Sequence, residues 1–298
     1  LGAALSSYGV WALVIQSVSM AFFRTLFLWM FGKWRPSLLF DKNSVRRMYA
    51  FSAKLLLTNV ITHLSNNLYP TLIGKYFPVT AVGYYTQAYK WQILPLDAIA
   101  TPVQKVSYPL LSEIQNDPER QKRVFRKLVK VTSFISFPLI LGFAFVIKEA
   151  VWFILSEKWA NSIILMQLLA VGATFYPLYC LFISVLQASG SPGLILKTET
   201  TKNLLIILNL FCTLRFGMNA LIIGMGIINI LFFLIIYLLS RRHISYKWHE
   251  LAKDILPFLL SAIAIILLNS YISGWIHQTF WILIYKIAAT AVLYLLLL

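Results

Sequence analysis

Cysteine and histidine are scarce in this 298-residue chain, at two and four, and Asp and Glu together number only ten. Cys180 and Cys212 both fall in apolar stretches, which excludes a disulfide scaffold and a redox pair and makes both read as core fillers. His63, His243, His249 and His277 lie far apart without ligand spacing, and no carboxylate pair or nucleophile motif accompanies them. Neither a catalytic residue nor a metal site is expected. Charged residues make up 12% of the chain against 59% hydrophobic, with a mean hydropathy of +0.76. A soluble domain could not carry that balance without exposing large apolar patches, so lipid is the expected solvent.

A hydrocarbon core about 30 Å thick calls for roughly 20 apolar residues per helix. Nine stretches qualify: 8–31, 51–73, 81–112, 129–147, 163–186, 204–216, 221–239, 255–275 and 280–298. They are continuously apolar and lack dyad alternation, which predicts helices rather than barrel strands. Seventeen Lys and Arg fall in every second gap (among them Arg46, Arg47, Arg120, Arg123, Lys197, Lys202, Arg241 and Arg242), and four, Lys75, Lys148, Lys158 and Arg215, in the others. Because cationic loops are retained on the cytoplasmic side during insertion, this split predicts a chain that starts outside and ends inside. The formal net charge of +16 is spread over short loops with no nucleic-acid-binding module, so anionic lipid headgroups rather than nucleic acid are the expected counter-charge. The chain opens at Leu1 without an initiator Met and stops within an apolar run, and it reads as a piece of something longer.

The third stretch departs most from plain lipid filler. At 100° per residue, Gly83, Thr86, Gln87, Lys90, Asp97, Thr101, Gln104, Lys105, Tyr108 and Ser112 share an arc of about 100°, interrupted only by Leu94. A charge at the bilayer centre costs at least about 2.5 to 3.5 kcal/mol, so Lys90, Asp97 and Lys105 are expected to line water or meet a partner helix. Pro95, Pro102 and Pro109 recur every seven residues on roughly the opposite side, each removing a backbone hydrogen bond. The second stretch carries Lys54, Thr58, Thr62, Ser65, Asn66 and Tyr69 on one stripe, with Asn59, His63 and Asn67 beside it. Interhelical hydrogen bonds account for part of that set and a cavity for the remainder. Arg24 reads equally as cavity lining or as a side chain snorkelling to headgroups; snorkelling is expected of Lys54 and Lys286, which sit near the membrane boundaries. Asp97 is too short to escape that way, and is expected either to pair with a Lys on another helix or to bind a coupling proton or Na⁺. Ser189-Gly190-Ser191-Pro192-Gly193 reads as a tight connector.

Specific residues carry a family likeness. Val82-Gly83-Tyr84-Tyr85 through Ala88-Tyr89, Pro95, Val106-Ser107-Tyr108-Pro109-Leu110-Leu111-Ser112 and Gln115-Asn116-Asp117 resemble the bacterial polysaccharide-export and O-antigen flippases. Supporting pieces are Tyr8-Gly9-Val10-Trp11-Ala12-Leu13-Val14, Trp34-Arg35-Pro36 and Leu72-Ile73-Gly74-Lys75-Tyr76-Phe77. These flippases belong to the multidrug, oligosaccharidyl-lipid and polysaccharide exporter superfamily, with two six-helix lobes plus two further helices. The resemblance implies an all-α polytopic membrane protein whose nine stretches correspond to the sixth through fourteenth helices. Residues 1–40 would then hold the last helix of the first lobe, 41–242 the second lobe, and 243–298 the additional pair.

The resemblance further implies a multi-pass protein of the bacterial inner membrane, no enzyme, that moves polyprenyl-pyrophosphate-linked oligosaccharide between leaflets by alternating access of two lobes. Its partners would be that substrate, membrane lipids and other polysaccharide-assembly proteins. On this hypothesis Arg24, Lys90 and Lys105 attract the pyrophosphate. Thr58, Asn59, Thr62, Asn66, Gln87, Thr101 and Gln104 contact sugar hydroxyls, and His63 and Asp97 complete the lining. A multidrug or small-molecule exporter of the same superfamily is the first alternative. A membrane glycan polymerase or ligase is the second, disfavoured by short outer gaps.

Overall fold

The computed structural model of the chain describes residues 11–32 and 41–273, with 285–286, 288–290 and 292–294; the side chains of 11–13, 44–47, 50–51, 65–69 and 272–273 fall outside that description. The motif pieces at Tyr8 to Val10 and Trp34 to Pro36, His277, the side chain of Asn66 and most of the ninth stretch therefore lie outside the described residues. Among the described residues every regular element is helical. The chain divides into two compact units, Leu1–Met48 and Tyr49–Leu298.

Helix α1, Trp11–Phe31, belongs to the first unit. There follow α2, Lys42–Tyr76, and α3, Val79–Glu113, each 35 residues. At 1.5 Å per residue each is about 52 Å long, well beyond the hydrocarbon core. Helix α3 runs without a break through Pro95, Pro102 and Pro109. Helix α4, Pro118–Ala150, starts where the sequence provides a start signal: Asp117 accepts a hydrogen bond from the Arg120 backbone N–H at 3.0 Å, and Pro118 takes the first turn. A π-helical turn, Val151–Leu155, and a 3₁₀ segment, Glu157–Ser162, lead to α5, Ile163–Gly172, and α6, Tyr176–Ala188. The sequence reads 163–186 as one span; the structure breaks it at 173–175, with Pro177 in the first turn of α6.

Gly190, at φ +68°, supplies the left-handed residue that ends the α6 connection, and Pro192 opens α7, Pro192–Thr213. Gly217, at φ +84°, is the first residue of α8, Gly217–Ile244, and α9 is Trp248–Ser273. The basic residues Arg120 to Lys130 and Lys197 and Lys202, read as loop charges from the sequence, sit on α4 and α7.

Among the described residues five helical stretches are long and apolar enough to cross a membrane: Val14–Phe31, Pro118–Leu155, Glu157–Ala188, Pro192–Ile244 and Trp248–Tyr271. The fourth, 53 residues long, contains both α7 and α8. Helices α2 and α3 have the length but not the apolarity, because polar side chains run along them. The chain is an all-helical, multi-pass membrane protein.

Helix α6 forms the centre of the second unit, with Pro177 to Leu186 all buried against α3, α7 and α8. Phe125, Phe182, Tyr237 and Tyr246 build an aromatic cluster there, with Phe125 and Phe182 ring centres 5.1 Å apart. Helices α5 and α8 cross at two glycines: a Cβ added to Gly172 would stand 2.7 Å from Gly226 Cα. Helix α9 docks on α4 through charge. Arg126 grips Asp254 at 2.7 and 2.9 Å, Lys122 meets Glu250 at 2.8 Å, and the Tyr246 hydroxyl donates to Asp254 at 3.0 Å. Burial, and then the Asp254 carboxylate, push the Tyr246 phenol up, so it stays a donor.

Two expectations need correction. Lys286 does not snorkel: it is 8% exposed, pairs with buried Glu149 at 2.8 Å and places its ammonium 4.2 Å from the centre of the Phe145 ring. A buried counter-charge satisfies it where a reach to headgroups was expected. Cys180 is buried as read, but Cys212 is exposed, on the outward side of α7, and fills no core.

Candidate functional site

The second unit holds a partly open chamber of about 500 Å³. Its walls come from five helices, and two of them contribute side chains at the i, i+3, i+4, i+7 spacing that aligns one helix face. On α6 these are Tyr176, Tyr179, Cys180 and Ile183, and on α7 they are Glu199, Lys202, Asn203 and Ile206. Helix α3 presents Tyr85, Tyr89, Gln92 and Leu96 at the related i, i+4, i+7, i+11 spacing, with Asp97 and Gln104 further along. Thr62 and His63 of α2 and Asn229 of α8 complete the polar lining.

The lining is largely organised in advance. Tyr85 and Tyr89 stack with ring centres 6.1 Å apart and planes 20° from parallel, and Tyr176 and Tyr179 repeat the arrangement at 6.3 Å and 21°. The Tyr179 hydroxyl donates a short hydrogen bond to Glu199 Oε1, and the Lys202 ammonium sits 4.5 Å from the centre of the Tyr179 ring. A cation over an aromatic face is held by the ring quadrupole, which leaves the neighbouring carboxylate free of a direct lysine contact. Gln92 is buried and donates to the Leu169 carbonyl at 2.8 Å, a tie that fixes α3 to α5 at the chamber wall. Asn203, 8% exposed, has no hydrogen-bond partner for its Nδ2 among the described residues.

The residues singled out from sequence separate into groups. Thr62, His63, Asp97 and Gln104 come together in the chamber. Asp97 makes no ion pair among the described residues, contrary to the expected bridge to a Lys on another helix. Lys90, Thr101 and Lys105 are exposed on α3, with Gln87 half-buried, and none of the four lines the chamber. Asn59 is exposed on α2, and Thr58 is buried with its hydroxyl turned back to the Lys54 carbonyl of its own helix at 2.8 Å. Arg24 lies on α1, in the first unit. Glu199, Lys202, Asn203, Tyr176 and Tyr179 were not singled out from sequence. Their helical spacing was the available signal, masked because Lys197 to Lys202 looked like a polar loop. Among the described residues no group of three or more His, Cys, Asp or Glu is placed to hold a metal ion.

A polar, aromatic chamber inside an apolar helical unit can receive a hydroxylated or charged guest. Comparison with known proteins agrees with that picture. The chain is 26% identical over 235 residues to the teichuronic acid biosynthesis protein TuaB of Bacillus subtilis (strain 168), covering 77% of this chain and 48% of that protein. It is 29% identical over 204 residues to the lipopolysaccharide biosynthesis protein WzxC of Escherichia coli (strain K12), covering 67% of this chain and 39% of that protein. The chain thus spans about half the length, or less, of these relatives. Its fold is similar to that of the lipid II flippase MurJ in an inward closed conformation, with a TM-score of 0.68 at 18% identity over 90% of this chain and 56% of that one. A profile of the polysaccharide biosynthesis protein family matches residues 1–164, more than half of the sequence. With its all-helical fold and its polar chamber, the chain belongs to that family.

Proposed function

We propose that the protein is a flippase that moves polyprenyl-pyrophosphate-linked oligosaccharide from the cytoplasmic to the outer leaflet of the bacterial inner membrane, for surface polysaccharide or lipopolysaccharide synthesis. The observation that carries the reading is the flank of α3. Lys90, Asp97, Thr101, Gln104 and Lys105 are all exposed on a helix of membrane length. Facing acyl chains, that row would cost several kcal/mol, at roughly 2.5 to 3.5 for each central charge. Facing a water-filled passage, it becomes a polar wall on which sugars and pyrophosphate are accommodated while the prenyl tail stays in lipid. The relatives' names, in teichuronic acid and lipopolysaccharide biosynthesis, and the likeness to a lipid II flippase support the same substrate class.

In this reading residues 1–40 end a first lobe, 41–242 form the second, and 243–298 are the added pair, with alternating access produced by the two lobes rocking about the passage. Lys90 and Lys105, with Arg24, draw the pyrophosphate, and Thr58, Asn59, Thr62, Asn66, Gln87, Thr101 and Gln104 serve the glycan. Asp97, without an ionic partner among the described residues, takes the coupling proton or Na⁺. The basic ends of α4, α8 and α9 face the cytoplasm, in accord with the retention of Lys and Arg on that side. The protein performs no covalent chemistry, and other polysaccharide-assembly proteins are its partners.

Complementation of a flippase-deleted strain tests this. Charge reversal of Lys90 and Lys105 in the full-length protein should abolish surface polysaccharide and trap lipid-linked units on the inner leaflet; unchanged export would remove the pyrophosphate role. A second reading, export of a cationic small molecule, is favoured by one observation, the two carboxylates Asp97 and Glu199 in one chamber. Raised cellular accumulation of cationic dyes in the deletion strain, with normal polysaccharide, would select it.

A further inference from the structure

The chamber in the second unit adjoins the exposed flank of α3, with which it shares Asp97 and Gln104, and it has the makings of a recognition site. Its volume of about 500 Å³ lies within the roughly 300 to 1,000 Å³ of small-ligand pockets. It suits one or two sugar rings and is far larger than an ion needs. Two stacked tyrosine pairs, Tyr85 with Tyr89 and Tyr176 with Tyr179, supply aromatic surface of the kind that packs against the C–H face of a pyranose. Asn203 supplies the second, independent sign. Asn203 is more than nine-tenths buried and lines the chamber, and among the described residues its Nδ2 has no acceptor. A buried donor left unpaired is destabilising, and its persistence points to an acceptor that arrives from outside.

A bare cation offers no such acceptor. A sugar hydroxyl does, and the same hydroxyl can donate to a carboxylate such as Glu199 one helical turn away. Because Glu199 is already fixed by the Tyr179 hydroxyl, and Lys202 by the Tyr179 ring, the polar groups wait in place and little ordering remains for the guest to impose. We propose that this chamber is a glycan-reading pocket that seats one sugar residue of the transported oligosaccharide, through the Asn203 amide, the Glu199 carboxylate and the paired tyrosine faces, and so selects which repeat unit is moved. The inference rests on the flippase reading and adds a specificity site to it.

The test uses the full-length protein that contains this chain, reconstituted in proteoliposomes, with two substrates: polyprenyl pyrophosphate carrying the complete repeat unit, and the same carrier without glycan. Asn203→Leu should cut translocation of the glycan-bearing carrier about tenfold or more and leave movement of the bare carrier at the wild-type rate. Asn203→Asp, nearly isosteric but lacking the donor, should repeat the loss if the leucine variant fails to fold. In parallel, methyl glycosides of the repeat-unit sugars are titrated onto wild type and variants by saturation-transfer NMR, and binding should vanish with Asn203→Asp. Equal loss for both carriers would make the chamber a structural or coupling element and overturn the proposal. So would a flattened pH or Na⁺ dependence with glycan preference intact, which would mark an ion site. If wild type moves no lipid-linked carrier of either kind, the flippase reading fails. The pocket then stands or falls on glycoside binding alone: binding that depends on Asn203 sustains a sugar site, and its absence removes it.

Discussion

Lys286 Nζ lies 2.8 Å from Glu149 Oε1 in a part of the second unit where both side chains are about nine-tenths buried. A desolvated pair of this kind is nearly neutral relative to an apolar pair of the same shape, but breaking it leaves one charge stranded. Glu149 Oε2 has no partner, so the Lys286 ammonium is the only group that compensates that carboxylate among the described residues.

Lys286→Met or Glu149→Leu alone should therefore lower thermal stability in detergent by about 3 to 5 kcal/mol, whereas the double variant should recover most of it. A double-mutant cycle read by thermal unfolding checks this. Additive losses would mean that the two groups do not interact.

Asp254 is 1% exposed and takes hydrogen bonds from Arg126 and Tyr246, with Lys130 at 3.4 Å. Asp254→Ala leaves cations without their anion at the seam between α4 and α9. It should destabilise by about 3 kcal/mol and raise proteolysis in α9 before the rest of the second unit, as mapped by limited digestion.

Gly172 and Gly226 bring α5 and α8 into backbone contact, so Gly172→Ala forces the helices apart and should cost about 1 to 3 kcal/mol. A Cβ on Gly83, by contrast, meets nothing within 4 Å. Gly83→Ala should be neutral or stabilising by up to about 1 kcal/mol, since alanine is the better helix former. Melting temperatures of the two variants side by side give the comparison.

On the exposed flank of α3, Lys90→Glu with Lys105→Glu should suppress polysaccharide export at least about tenfold with normal membrane levels of the protein, whereas Val106→Ala, on an exposed apolar position next to it, should leave export unchanged. Quantitative capsule or lipopolysaccharide staining with immunoblotting reads both.

The membrane helices were legible because a bilayer imposes a length and an apolarity that survive in any sequence window. The polar stripe of α3 was legible for the same reason, as a violation. What the sequence hid depends on partners far apart in the chain. Lys286 looked like a boundary lysine until Glu149, 137 positions earlier, was seen beside it. Lys202 looked like a loop charge and Glu199 drew no reading, because nothing local announces the Tyr179 side chain that meets both. The interruption at 173–175 was hidden too, since the stretch stays apolar through it and hydropathy does not register a turn. Of the chamber, sequence supplied Thr62, His63, Asp97 and Gln104, and only the packing of five helices added the tyrosine pairs and Asn203.

Helix α3 carries Pro95, Pro102 and Pro109 without losing its helical course. Each proline withholds one amide hydrogen, so the main-chain oxygens of Trp91, Ala98 and Lys105, four residues upstream, lack their usual in-helix donor. Hydrocarbon cannot supply a replacement. Three times along its axis, one heptad apart, this rod must be wetted or touched by a donor from a neighbour, which ties its stability to hydration of the surrounding crevices.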